Sequence, residues 1–447
     1  MARAWASARR ASEADRASRC CSKRWRRDVY DGSGPAADFV FDWNLVGVSS
    51  HRHDAPVQLL DETLRDGLQS PSVANPSIED KKRLLELMDG LGIQVADIGL
   101  PGAGLRHVRH VTALCQHIRD KGLKIRAACA GRTLAADVTP IIDISQTTGV
   151  PIEVLTFLGA SPIRAYTEGW TPERMRAMTR DAVRLGVRAG LQVAFVTEDT
   201  ARAHPDVLGD LFRVAIDEGA TRLIHCDTVG HATPDGIRAL FDWTRGLLDR
   251  LGATHVGLDF HGHNDRGLAL VNALVAVEHG CDRVHGTALG LGERVGNTAM
   301  DQLLVNLGLL GLYDHDLHGL MPYCELASRA TGRPIPHNYP VVGQDAFRTG
   351  TGVHAAALMK AREKGGEWAE DRVYSGIPAA IVGKVQVIEV GPMSGESNVI
   401  AWLATHGIPA NPALVAKIFL AAKRSHRTLT DDELYRIVQD TVSPTVT

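Results

Sequence analysis

Three things are scarce in this 447-residue chain, and each scarcity closes off a class of protein. Long apolar runs are missing: no stretch approaches the about 20 consecutive apolar residues that a membrane-crossing helix needs. Paired cysteines are missing too. Cys20, Cys21, Cys115, Cys129, Cys226, Cys281 and Cys324 are scattered, with no CxxC spacing, which sets aside a zinc ribbon or a redox dithiol. A chain this long needs no disulfide framework, so a reducing, cytoplasmic setting fits. An excess of charge of one sign is absent as well. A net charge of −3 gives no reason to expect nucleic acid or an anionic membrane as partner. What is present, at 44% hydrophobic residues, suits a soluble globular protein with one large α/β domain plus an appendage, or with two to three domains.

The first stretch, "MARAWASARRASEADRASRCCSKRWRRDVY", differs from the rest. It is rich in Arg, Ala and Ser and has no apolar periodicity. It lacks the apolar core of a secretory signal, and Glu13 and Asp15 break the acid-poor pattern of an organelle transit peptide. Residues 1–50 therefore read as a basic, disordered tail, or as an upstream start that is not the true one.

From residue 56 onward short β-rich runs alternate with helical patterns. The runs are VQLLD (57–61), IQVADIG (93–99), KIRAAC (124–129), IEVLTF (152–157), LQVAFV (191–196), TRLIHC (221–226), HVGLDF (255–260) and DRVHGT (282–287). Between them lie amphipathic segments such as "SIEDKKRLLELMDGLG", with Leu84, Leu85, Leu87, Met88 and Leu91 on one side, Ser77 as N-cap and Gly92 as stop. Thr171 and Pro172 open another helix. Strand then helix, eight times over about 250 residues, predicts a (β/α)8 TIM barrel over residues 51–312. An open doubly wound sheet is the competitor, but GxGxxG does not follow the first strand. "GLGERVGN" (290–297) follows the last one and lacks the third glycine, so it reads as a barrel loop. Residues 313–447 read as a mostly helical C-terminal extension, with helices in "GLMPYCELASRATG", "GVHAAALMKAREKG", "NVIAWLATHGI" and "NPALVAKIFLAAKRS".

Active sites of such barrels lie at the C-terminal ends of the strands. The residues just past those ends are polar: Arg65 and Asp66, Glu198 and Asp199, Asp227 and Thr228, His261, His263 and Asn264, then Glu293, Arg294 and Asn297. In "VGLDFHGHNDRG", His261 and His263 are two residues apart in an extended run and point the same way. Gly262 between them leaves room for a close approach to the backbone. Asp66 can join the two imidazoles across the mouth, leaving positions open on a divalent ion, which is the catalytic type of site. The plainer readings are two solvated histidines, and an Asp66 that caps a helix or pairs with Arg65. The donor set alone does not choose between Zn, Mg, Mn and Fe(II).

"LLDETLRDGLQSP", "HCDTVGHATP", "LDFHGHNDRGLALVNALVAVEHG" and "VHGTALGLGERVGNTAMD" together resemble the metal-dependent barrel family of Claisen-type acyltransferases and lyases. The likeness runs in consistent order from about residue 56 to 310. The later "VVGQDAFRTGTGVHAAALMKAREKG" and "GPMSGESNVIAWL" resemble the segments that follow the barrel in the synthases, which points to the 2-isopropylmalate synthase and homocitrate synthase branch.

That resemblance implies condensation of acetyl-CoA with a 2-oxo acid, 2-oxoisovalerate first, and thioester hydrolysis to 2-isopropylmalate. It implies a divalent ion (Zn, Mg or Mn) on Asp66, His261 and His263, with Asn297 a further contact. Arg65 would hold the developing oxyanion, Thr228 would contact substrate, and Glu198 would be an active-site carboxylate. His354 and Tyr374 would be catalytic residues that reach the barrel of a partner in a homodimer. His354 and Glu198 compete as the base. Val196 and Thr197 depart from the common pattern before the glutamate, and Leu100, Pro101 and Cys129 are candidates for shaping the acceptor pocket. A leucine-binding regulatory domain is not expected. Homocitrate synthase, citramalate synthase and a hydroxyacyl-CoA lyase are the alternatives, since "LRDGLQS" stands a little closer to the lyases. A non-haem iron oxygenase and an idle binding module are remoter ones.

Overall fold

All eight short runs form strands in the computed structural model, which describes residues 56–442 together with Val40 and Asn44. The tail expected over residues 1–50 otherwise lies outside the described residues. The strands are β1 Gln58–Asp61, β2 Val95–Asp97, β3 Arg126–Arg132, β4 Ile152–Gly159, β5 Val193–Glu198, β6 Arg222–Asp227, β7 Gly257–Gly262 and β8 Arg283–Gly286. They pair in parallel in chain order, and β8 closes on β1 with Gln58 opposite Arg283 and Leu60 opposite His285. β3 and β4 run longer than expected. The small residues Ala130 and Gly131 have weak strand propensity, yet they stay in register with Leu155 and Thr156.

Each strand is followed by at least one helix: α1 Ile78–Gly90, α2 Leu105–Lys121, α3 Ala135–Thr148, α4 Pro162–Glu168, α5 Pro172–Arg188, α6 Pro205–Asp217, α7 Pro234–Leu251, α8 Ala269–Glu278 and α9 Met300–Leu309. Their starts are written in the sequence. Ser77 accepts from the Asp80 amide. Ser161, Thr171, His204 and Thr233 each cap a helix whose first residue is proline. Such a residue fills an orphan amide while proline supplies the helical φ. α1 buries Leu84, Leu85 and Met88, the stripe its periodicity predicts.

The barrel interior follows the two-residue period of a strand. Leu60, Val95, Ala128, Leu155, Ala194, Ile224 and Cys226 meet there as one buried cluster. The residue two places further along several strands then faces the C-terminal opening, and this is how Glu62, Val196, His261 and His263 come to line it.

The chain divides into two compact units between Ile335 and Pro336. The barrel unit keeps a further helix, α10 Leu320–Thr331, whose Tyr323 hydrogen-bonds Asp61 and Thr63. The second unit holds α11 Gly352–Val373, kinked at Gly366, then α12 Glu396–Thr405, α13 Pro412–Arg424 and α14 Asp431–Val442. Its core gathers Val399, Trp402, Leu403, Leu414, Ile418 and Leu434. Two elements here have no counterpart in the sequence reading: α14, and a parallel pairing of β9 Arg348–Thr349 with β10 Val387–Ile388. A two-residue strand is too short to show a period. No helix among the described residues is long and apolar enough to cross a membrane.

Candidate active site

A cavity of about 300 Å3 opens at the C-terminal ends of the strands. Its lining mixes apolar residues (Leu100, Ala130, Leu155, Phe157, Val196 and Ile224) with polar ones (Arg65, Asp66, Glu198, Thr228, His261 and His263).

His261 ends the inward row of β7, and His263 follows just beyond the strand, bridged antiparallel to Asn297. Their Nε2 atoms are 3.1 Å apart. Asp66 Oδ2 lies 3.8 Å from the first and 3.6 Å from the second. Two ligands about 2.1 Å from one ion are separated by about 3.0 to 3.4 Å at octahedral or tetrahedral angles. The three atoms thus form the edges of a slightly open coordination face. All three residues are buried. Burial, with His261 beside it, pushes the His263 imidazole down to about 4, so it is neutral at neutral pH and offers a lone pair. His263 Nδ1 and Asn297 Oδ1 are buried without a hydrogen-bond partner. Two imidazole nitrogens and a carboxylate oxygen that converge in this way fit a divalent cation.

Asp66 is the first residue of a short 3-10 turn after β1 whose N-cap position is Arg65, so it does not cap that turn. Arg65 Nη1 does lie 3.4 Å from Asp66 Oδ1. Arg65 is held mainly elsewhere: Nε donates to Asp97 Oδ2 at 2.6 Å and Nη2 to Glu62 Oε1 at 2.8 Å. Burial raises the Asp97 carboxyl to about 6 even though Arg65 opposes the rise. Asn297 Nδ2 donates to Asp66 Oδ2 at 2.7 Å and to the Leu291 carbonyl at 3.1 Å. The loop that carries Asn297 closes this tightly because Gly292 and Gly296 have positive φ; a Cβ at Gly292 would meet the Asn297 amide.

Gly262 serves a different end from the one expected. A Cβ there would strike the Phe260 ring, so its bareness makes room for packing and not for a ligand.

Glu198, the last residue of β5, pairs with Arg164 Nε at 2.9 Å. Burial raises its carboxyl above the ordinary value against the pull of Arg164. Thr228 Oγ1 accepts from the Asp199 amide at 2.8 Å, which leaves its own hydroxyl proton to donate. Asp199 is in the left-handed region at φ 64 and is gripped by Arg202, and Asp227 accepts from the His231 and Ala232 amides. Those two rim carboxylates shape loops. His354 and Tyr374 belong to the second unit, where they stack with ring centroids 4.0 Å apart.

Three residues at this site escaped the sequence reading: Glu62, Asp97 and His285. Glu62 Oε2 accepts from His261 Nδ1–H at 2.5 Å, and Oε1 faces His285 Nδ1 at 3.2 Å. Burial works against the Glu62 carboxylate, but His261, Arg65 and His285 around it hold it well below the usual range. The signal was available: Leu60 and Glu62 share strand parity, as do Val95 and Asp97, and Arg283 and His285, so all three acidic or basic groups point inward.

The HMGL-like family model matches residues 56–326. The 2-isopropylmalate synthase of Solidesulfovibrio magneticus is 31% identical over 391 residues, 85% of this chain and 73% of that protein. The homocitrate synthase AksA of Methanopyrus kandleri is 30% identical over 404 residues, 87% of this chain and 93% of that protein. Among solved structures, the HMG-CoA lyase of Bacillus subtilis superposes with a TM-score of 0.53 at 19% identity, over 63% of this chain and 96% of that one. At that identity the likeness shows a shared barrel and nothing more.

Proposed function

The chain belongs to the HMGL-like family, and from that premise we propose that it is an acyltransferase joining acetyl-CoA to a 2-oxo acid with an apolar side chain. The acceptor we favour is 2-oxoisovalerate, and thioester hydrolysis then gives 2-isopropylmalate. One observation carries the reading: a converging Asp66, His261 and His263 set shares one cavity with the apolar side chains of Leu155, Val196 and Ile224.

In this reading Asp66, His261 and His263 hold a divalent cation (Zn, Mg or Mn), with Asn297 orienting Asp66. When bound, the cation supplies a Lewis acid for the 2-oxo acid carbonyl. Arg65, fixed by Glu62 and Asp97, presents its guanidinium to the oxygen on which charge builds. Thr228 donates its hydroxyl proton to the substrate carboxylate. Removal of a proton from the acetyl methyl falls to Glu198, or to His354 with Tyr374 from a partner subunit in a homodimer. A carboxyl raised by burial, as at Glu198, is a stronger base than an ordinary one.

The apolar part of the lining argues for the acceptor. Arg65 is the only arginine or lysine lining the cavity among the described residues. The distal carboxylate of 2-oxoglutarate would meet Leu155, Val196 and Ile224 without a partner, which costs at least several kcal/mol. That weighs against homocitrate synthesis. A thiol-release assay of the purified protein with acetyl-CoA and a panel of 2-oxo acids tests the proposal. We expect CoA release with 2-oxoisovalerate well above that with 2-oxoglutarate, lost on chelation and restored by a divalent ion. Cleavage of a hydroxyacyl-CoA with no 2-oxo acid requirement would replace this reading with the lyase. Mixing His354→Ala with His261→Ala protein should restore part of the activity if the post-barrel pair serves a partner's barrel.

A further inference from the structure

Glu62 is buried at the C-terminal end of β1 and is, among the described residues, the one carboxylate that touches a candidate cation ligand, the arginine beside it and a deeper histidine. Its Oε2 is 2.5 Å from His261 Nδ1. A carboxylate only accepts, so the proton of this contact sits on Nδ1 and the Nε2 lone pair is left facing His263 and Asp66. Its Oε1 takes Arg65 Nη2 at 2.8 Å and faces His285 Nδ1 at 3.2 Å. His285 in turn reaches Asp259 through Nε2 at 3.1 Å.

We infer that Glu62 is a positioning residue: it fixes the tautomer and ring angle of His261 as an Nε2 ligand and, through its other oxygen, ties Arg65 to the same carboxylate. The inference rests on the cation reading of Asp66, His261 and His263. Its physical basis is that a free imidazole divides its proton between two nitrogens and rotates about χ2. An ionised carboxylate on Nδ1 removes both freedoms and increases the electron density at Nε2. Placing Arg65 on the same carboxylate couples the distance between the cation and the oxyanion donor to one rigid group. A purely structural Glu62 would need none of this; it would need only a countercharge for Arg65 and His285.

The test uses the full-length protein and Mn2+ as the probe, with free Mn2+ read by electron paramagnetic resonance. Glu62→Gln should bind Mn2+ about 10- to 100-fold more weakly than the wild type while keeping its circular dichroism spectrum. In metal-free wild-type protein the His261 Nδ1–H proton should give a strongly deshielded NMR signal, which moves upfield or vanishes in Glu62→Gln. Glu62→Leu, which leaves no acceptor, should weaken binding further. Glu153→Gln, which alters the interior charge network without touching Glu62, should lower the melting temperature and leave Mn2+ affinity within twofold. Wild-type affinity in folded Glu62→Gln, or an equal loss in Glu153→Gln, overturns the role of Glu62. A wild type that binds no divalent cation overturns instead the reading of the Asp66 site beneath it.

Discussion

The two ends of the barrel interior hold similar residues in opposite states. At the N-terminal end Arg283, fully buried, donates to Asp259 at 2.6 Å and makes two bonds to Glu153 at 2.7 and 2.8 Å. Arg222 takes the other oxygen of Asp259 at 2.7 Å. A cavity of about 350 Å3 opens there, yet among the described residues no group of imidazoles and carboxylates converges in it. At the C-terminal end two imidazole nitrogens and a carboxylate oxygen converge, with unpartnered buried atoms on His263 and Asn297. His285 joins the two ends, between Glu62 and Asp259. The lesson is that burial and charge do not mark a site. Convergence does, because lone pairs from three residues aimed at one point repel one another unless a cation lies between them.

That contrast can be broken by substitution, beginning with the largest effect. His261→Ala should abolish CoA release, by at least about 10^3-fold, with the melting temperature little changed, because several kcal/mol of Lewis-acid stabilisation go with the ligand. Steady-state kinetics on the folded variant checks it; near-normal turnover would end the case for the C-terminal site. Arg283→Met should do the reverse, costing about 3–5 kcal/mol of stability by leaving Asp259 and Glu153 buried without their partner. Denaturant unfolding measures it.

Asp61 supplies a sharper case, a buried carboxylate on the outer face of β1 satisfied by Thr63 and Tyr323 and by no cation. Burial raises it to about 6 despite those hydrogen bonds. The folded state therefore holds its proton more tightly than the unfolded chain, whose value is near 3.8. Its contribution to stability is full below about pH 4 and is lost as the pH rises through about 6. Asp61→Asn should then raise the melting temperature more at pH 8 than at pH 4, with a limiting gain of about 3 kcal/mol. A gain independent of pH would contradict the assignment. The smallest effect belongs to the apolar part of the lining: Leu155→Ala should shift kcat/KM toward a 2-oxo acid one or two carbons longer, by about tenfold. An unchanged preference would remove Leu155 from the acceptor pocket.

Much of the barrel was legible because its strands are apolar and its helices announce themselves. Ser161-Pro162, Thr171-Pro172 and Thr233-Pro234 are start signals whose physics is local. The continuation of β3 through Ala130 and Gly131 was not legible, since those residues owe their extension to pairing with β4. Within the candidate site, Asp66, His261 and His263 could be read from strand ends and an i, i+2 spacing. Strand parity separates Glu62, which lines the cavity, from its neighbour Asp61, which meets Tyr323, but it does not say that Glu62 meets His261. Asp227 and Asp199, equally polar and equally near the rim, turned out to hold loops.

By itself the sequence determined the alternation of strands and helices, the parity of each strand and hence the list of side chains able to face the barrel axis. These follow from backbone geometry, which repeats every few residues and needs no distant partner. Only the tertiary structure decided which of those side chains complete one another. Glu62 and His261 are 199 positions apart in the chain, and their 2.5 Å contact exists because closing β8 onto β1 brings β7 within reach. Hydrogen-bond satisfaction is a property of such long-range neighbours, so the difference between a structural charge and a functional one appears only once the barrel is closed.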